Sequence, residues 1–392
     1  MRRWSCRQRK AACFGGISSS TDRRKFSTLP PVPNNAHRFV LMRHGESEFN
    51  NANIFTGWCD VALTQRGVVE AVEAGQVFAS HQLTFRKCIA SMLTRSIVTA
   101  HRALEAAGVA YTPIQYDWRL NERHYGALQG LSKDRTAVRL GRSRVMKWRR
   151  SYVARPPMMT RDHPHFDAIN NDPRYRSMRT DIPLGESLQD CQIRVLGAWK
   201  DILAEVRSPS FSGSVDSDYT LLVAHANTIR ALVMHLDDIP AEQIEDLNIP
   251  TGIPFYYDID KVTGKVVAQE SDAGNPTNQD DKAGKFRGAY ISDAKKERNF
   301  LERRRAANDP WLWALWDHQV TKRMLGGGGL ADNDNDYGEE GLTAVGDAAG
   351  EGLEGIEAEA KANTELFMTA PSSPSSSSSS SHLRGGEDCE VR

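Results

Sequence analysis

From Arg38 onward, short apolar runs alternate with longer stretches in which apolar residues recur at helical spacing. The run RFVLM (38–42) enters a glycine-containing turn, and Gln65–Ser80 then carries Val68, Val69, Val72 and Val77 on a helical repeat. This predicts strand, loop and helix. The alternation returns in CIAS (88–91) followed by Thr94–Ala107, and in YTLLVAH (219–225) followed by Asn227–Leu236. Repeated strand-to-helix units predict an α/β fold: a mainly parallel central sheet flanked by helices on both faces. DIDKVTGK (258–265), between the apolar runs IPFYY and VVA, predicts a hairpin that closes a domain spanning 36–272.

The flanks have a different texture. Residues 1–35 hold eight Lys/Arg against Asp22 alone and are rich in serine, the composition of an organellar transit peptide, with a mitochondrial destination ahead of a plastid one. If the segment is not a leader, the same composition describes a basic tail on a cytoplasmic protein. Residues 273–284 are polar. The following segment, to 324, is basic and helix-like and ends in Trp311, Trp313 and Trp316, which predicts docking on its own core or a sister subunit, with a partner-binding or membrane-surface helix as the alternative. Residues 325–392 are Gly-rich, acidic and Ser-rich, a composition predicted to be disordered.

Length and composition add limits. At 392 residues, 40% hydrophobic and 26% charged, the chain can bury a core, while a mean hydropathy of −0.52 and the absence of any long apolar stretch exclude a transmembrane helix. Fifty basic and fifty acidic residues cancel, which argues against a nucleic-acid partner recruited by gross charge. The six cysteines are scattered with no spacing that suits zinc, so no metal is expected.

Chemistry concentrates at two strand ends. RFVLM runs into Arg43-His44-Gly45-Glu46, and the strand before His225 runs into Ala226-Asn227-Thr228-Ile229-Arg230. Ligands bind at the carboxyl ends of strands in open α/β sheets. Two such turns in one sheet would bring both imidazoles into one crevice. A neutral imidazole is a competent nucleophile near neutral pH, and guanidinium forks match phosphate oxygens, so the pattern points to metal-free phosphoryl transfer.

Residues 38–270 resemble the cofactor-dependent phosphoglycerate mutases of the histidine phosphatase superfamily. The resemblance rests on LMRHGESEFNNANIFTGWCDVALTQRG, TRSIVTA, WRLNERHYGALQGLSKDRTA, WRRSY followed by RPP, ESLQDC, VAHANTIRALVMHL and LNIPTGIPFYYDID, in the family's order. It implies that His44 is the nucleophile that becomes phosphorylated, that Arg43, Arg95 and His225 surround the migrating phosphoryl group, and that Glu122 is the general acid and base. Glu122 in an ion pair with Arg119 or Arg123 is the competing structural reading. Ser47, Asn50, Thr56, Gly57, Tyr125, Lys133, Arg149, Arg150, Ala226 and Asn227 are the implied substrate contacts. The resemblance further implies priming by 2,3-bisphosphoglycerate and exchange of 3-phosphoglycerate with 2-phosphoglycerate in glycolysis and gluconeogenesis. It also implies phosphoglycerates as the small-molecule substrates and a homodimer or homotetramer. A bisphosphoglycerate mutase or a broad phosphatase of the same superfamily is the alternative.

The sequence departs from that pattern at a few positions. Ala226 stands where the family usually has glycine, which disfavours a positive φ and narrows the phosphate pocket. Thr228 and Ile229 replace the usual Ser and Leu, and Phe49 replaces a Trp.

Overall fold

A computed structural model of the chain describes residues 29–178, 182–208, 219–267 and 286–291. Among these, six strands form one sheet: β1 (Ala36–Arg43), β2 (Lys87–Ala90), β3 (Ile114–Tyr116), β4 (Tyr219–Ala224), β5 (Phe255–Asp260) and β6 (Ala289–Tyr290), in the order β3-β2-β4-β1-β5-β6. The pairs β3–β2, β2–β4 and β4–β1 are parallel, whereas β5 and β6 add to the β1 edge in antiparallel fashion.

The centre of β1, Phe39–Met42, is apolar without alternation because both of its faces are covered. Phe39 and Leu41 pack with α7 (Leu188–Val206) and α8 (Ala226–Leu236), through Cys191, Val195, Trp199, Ile229 and Val233. Val40 and Met42 pack on the opposite side with α2 (Gln65–Ser80) and α3 (Thr94–Ala106), through Ala74, Phe78, Ala103 and Leu104. The helix expected over 65–80 is present, and its buried face combines Val77 with small residues. Val69 is exposed and Val68 and Val72 are half-buried, while Ala71, Ala74 and Gly75 are buried. The reason is close helix contact: a Cβ on Gly75 would sit 2.2 Å from the Ala103 carbonyl oxygen.

The hairpin at 258–265 is formed. The Asp260 N–H donates to the Lys265 carbonyl (2.9 Å), the Val267 N–H to that of Asp258 (2.8 Å), and Gly264 takes the positive φ (+73°) of the turn. The expected domain limits differ from the observed ones. Residues 286–291 fall in the expected helical extension, yet Ala289–Tyr290 is a strand on β5 and Phe286 is buried against Phe255 and Tyr257. At the other end, Leu29 packs on the core and the Pro30 carbonyl accepts from Arg38 (2.8 Å). The remainder of the expected leader, of the Trp-rich extension and of the acidic, Ser-rich tail lies outside the described residues. Among the described residues, no helix is long and apolar enough to cross a membrane.

This sheet order decides where the site lies. β2, β4 and β1 are neighbours running the same way, so Ser91, His225 and His44 emerge side by side from their carboxyl ends. The Ser91 N–H donates to the Val223 carbonyl (3.2 Å), and the His44 N–H to that of Ala224 (3.0 Å).

Candidate active site

His44 and His225 are fully buried, with ring centroids 4.9 Å apart. The His44 Nδ1 lies 2.6 Å from the Gly45 carbonyl oxygen. A carbonyl can only accept, so Nδ1 carries the proton and Nε2 keeps its lone pair. Burial first, then Arg95 and Arg43, push His44 well below the ordinary imidazole range, which keeps that lone pair available. The same forces act on His225: burial leads, followed by Arg95 and His44.

The arginines are anchored by carbonyls rather than carboxylates. Arg95 donates to the carbonyls of Cys59 (2.9 Å) and Gly57 (2.8 Å), and Arg43 to that of Ile249 (2.9 Å). Among the described residues, each retains a buried Nε with no hydrogen-bond partner. Gly57 has φ +51°, and a Cβ there would lie 1.9 Å from the Gln129 side-chain oxygen, so the TGW turn closes only with glycine. Thr56 precedes it, buried.

Glu122 lies in the loop between β3 and α4 (Lys133–Leu140), and its Oε1 accepts the backbone N–H groups of Arg123 (2.8 Å) and Asn227 (3.2 Å). The ion pairs considered from sequence do not engage it. Arg119 pairs with Asp117 (2.7 Å) and Asp201 (2.6 Å), and the Arg123 guanidinium donates to the carbonyls of Trp148 (2.9 Å) and Arg149 (3.0 Å). The Asn227 amide donates to the Tyr125 hydroxyl (3.2 Å) and accepts from Arg230 (3.1 Å), joining the second strand end to the Glu122 loop.

A second group of cations faces this loop. Lys133 opens α4, and Arg149 and Arg150 end α5 (Arg142–Arg150), all three half-buried. Burial, then Arg149 and Arg43, bring the Lys133 ammonium down to about 7. Arg150 donates to the Glu245 carbonyl (3.2 Å). Ser47 and Asn50 are engaged with each other in the cap of α1 (Glu48–Asn51): the serine hydroxyl donates to the Asn50 Oδ1 (2.9 Å) and accepts the Asn50 N–H (3.3 Å). Ala226 is the first residue of α8 and has no positive φ, so the strain expected from replacing glycine does not arise.

Residues missed from sequence complete the frame. Arg194 on α7 donates to the carbonyls of Arg119 (2.7 Å), Asn121 (2.8 Å) and Glu122 (2.8 Å), and is held by Glu186 (2.7 Å). The Trp58 indole N–H donates to the Glu122 carbonyl (2.7 Å). Ser91 touches His225 directly (2.6 Å). The only sequence signal for Ser91 was its place at the carboxyl end of a strand. Among the described residues, no group of three or more His, Cys, Asp or Glu side chains is placed to hold a metal ion.

Two imidazoles and two buried arginines at the carboxyl ends of parallel strands agree with what sequence comparison finds. The model of the histidine phosphatase superfamily (branch 1) matches residues 39–253, and the chain belongs to that superfamily. More narrowly, the chain is similar to proteins named 2,3-bisphosphoglycerate-dependent phosphoglycerate mutase. That of Nitratidesulfovibrio vulgaris (strain Hildenborough) is 45% identical over 224 residues, 57% of this chain and 86% of the relative. That of Mycobacterium tuberculosis (strain H37Ra) is 44% identical over 234 residues, 59% of this chain and 90% of the relative. A solved mycobacterial glucosyl-3-phosphoglycerate phosphatase is 22% identical with a TM-score of 0.46, covering 59% of this chain and 96% of that one.

Proposed function

We propose that the protein interconverts 3-phosphoglycerate and 2-phosphoglycerate through a phosphohistidine at His44, primed by 2,3-bisphosphoglycerate. One observation carries the reading: beside the His44–His225 pocket, with Arg43 and Arg95, stands the second cation group of Lys133, Arg149 and Arg150. A phosphoryl pocket alone serves any phosphate monoester. A second group of cations is what a substrate bearing phosphate and carboxylate requires. Among the described residues, buried donors without a hydrogen-bond partner, the Nε of Arg43, Arg95, Arg123 and Arg230, fit a polyanion. The primer, when bound, supplies the phosphoryl group that charges His44.

Nε2 of His44 attacks phosphorus in line. The N–P bond forms as the P–O bond breaks, and Glu122 gives its proton to the departing oxygen. In the return step Glu122 removes the proton from the accepting hydroxyl as that oxygen takes the phosphoryl group from Nε2. Arg43, Arg95 and His225 hold the equatorial oxygens, where charge gathers in a loose transition state. A homodimer or homotetramer is the working unit in this reading, which light scattering would test.

Intact-mass analysis after exposure to 2,3-bisphosphoglycerate tests the reading. Wild type should gain one acid-labile phosphoryl group, and His44→Ala should gain none. A coupled assay should show isomer exchange stimulated by catalytic primer. Release of inorganic phosphate without any need for primer would replace the mutase reading by a hydrolase.

A further inference from the structure

A neutral histidine has one N–H, and His225 must point it at an oxygen that can only accept. The hydrogen bonds around Ser91 decide which nitrogen carries it. Ser91 and His225 are both fully buried, following the neighbouring strands β2 and β4. The Ser91 Oγ lies 2.6 Å from the His225 Nε2 and accepts the Leu93 N–H at 3.3 Å. Among the described residues the hydroxyl hydrogen has no other acceptor. Were Nε2 to carry the proton and donate to Ser91, the hydroxyl hydrogen would be buried without a partner among the described residues; Nδ1 has no partner there in either tautomer, so the Ser91 hydroxyl decides. With the proton on Nδ1, Ser91 donates to Nε2, accepts from Leu93, and both of its polar roles are filled.

We propose that Ser91 is a positioning residue that fixes the tautomer of His225, so that Nδ1–H is directed at the phosphoryl group exchanged with His44. Ser91 does not touch the reacting atoms; it acts through His225. The arrangement mirrors His44, where a carbonyl holds the proton on Nδ1 and frees Nε2 to attack. One imidazole is thereby kept as a nucleophile and the other as a donor, although their rings are only 4.9 Å apart and share the same field. The proposal rests on the phosphoryl-transfer reading of this site and adds the residue that differentiates its two histidines.

The test is nitrogen-15 NMR of the ring nitrogens in the resting full-length protein, with His225 assigned against a His225→Gln variant. Wild type should show a protonated Nδ1 and an unprotonated Nε2. Ser91→Ala should mix or invert the two forms and slow His44 phosphorylation by 2,3-bisphosphoglycerate about three- to tenfold, the bias that one buried hydrogen bond supplies. That is well short of the roughly 10²- to 10³-fold loss for deleting a donor outright. Ser91→Thr, which keeps the hydroxyl, should restore both readings. A wild-type spectrum with Nε2 protonated overturns the proposal, as does a Ser91→Ala spectrum identical to wild type, and the wild-type spectrum decides even if the alanine variant does not fold. If the predicted tautomer is found but no phosphohistidine forms, the mutase reading fails while the assignment of Ser91 stands.

Discussion

Replacing Glu122 by glutamine separates acid–base chemistry from scaffolding. The carboxylate uses Oε1 to accept two backbone N–H groups, from Arg123 and Asn227. Glutamine keeps an oxygen that can accept both, so the loop and the start of α8 should hold their places, with a stability loss of about 1 kcal/mol. What disappears is the exchangeable proton. A positioned general acid or base contributes roughly 10²- to 10⁴-fold, or about 2.7–5.4 kcal/mol on the barrier. Turnover in the mutase direction should therefore fall by that factor with KM changed less than about threefold. An aryl phosphate with a stable phenolate leaving group needs no proton, so phosphorylation of His44 from it should fall by less than roughly tenfold. Stopped-flow kinetics on both substrates, with a thermal melt of each protein, make the comparison. Unchanged turnover removes Glu122 from the mechanism, and equal losses on both substrates with a lowered melt make it a structural residue instead.

Three further outcomes follow from the same geometry. Lys133 sits at about 7 in the free enzyme, so it is charged below that pH and neutral above it; kcat/KM for phosphoglycerate should fall by up to about tenfold per pH unit above 7, and Lys133→Arg should flatten the profile between pH 6 and 9. A wild-type profile that is flat across that range refutes the role. Arg149→Ala should raise KM for phosphoglycerate more than it slows aryl phosphate hydrolysis; equal effects on the two would place Arg149 outside the substrate's carboxyl end. Arg194→Met leaves the Glu186 carboxylate buried without its guanidinium and strips three carbonyls of the Glu122 loop, so it should cost about 3–5 kcal/mol, roughly 6–20 °C in Tm by calorimetry. A melt within 2 °C of wild type would show that the loop does not depend on Arg194.

The strands that carry the site were legible because burial on both faces leaves an unmistakable mark: FVLM (39–42) and LLVA (221–224) are unbroken apolar runs just before the turns that hold each histidine. The helices were legible as helices, but the packing face of α2 was not, since periodicity weighs valine above alanine and glycine while close approach to α3 selects small residues beside Val77. β6 left almost no signal. It is two residues long, and what holds it is the stack of Phe286 and Tyr290 on Phe255, distant in sequence. Arg194 was hidden for a related reason: on α7 it reads as one more charged residue of an amphipathic helix, and only the fold brings the carbonyls of residues 119 to 122 to it.

The two kinds of buried arginine in this protein distinguish scaffold from site on charge alone. Arg38 meets Asp258 through two bonds (2.7 and 2.6 Å) where β1 pairs with β5, and Arg194 meets Glu186, so each of these cations is neutralised inside the fold. Among the described residues, Arg43, Arg95 and Arg230 donate only to carbonyl or amide oxygens, and each keeps a buried donor without a hydrogen-bond partner. Glu122 attracts all three without a hydrogen bond to any of them, and burial outweighs that attraction, lowering Arg43, Arg95 and Arg230 from the ordinary guanidinium range. The sheet and its helices must hold these groups in place at the expense of stability. An arriving polyanion offsets that cost and meets donors already fixed in position, which is the condition under which electrostatic stabilisation needs no reorganisation during the transfer.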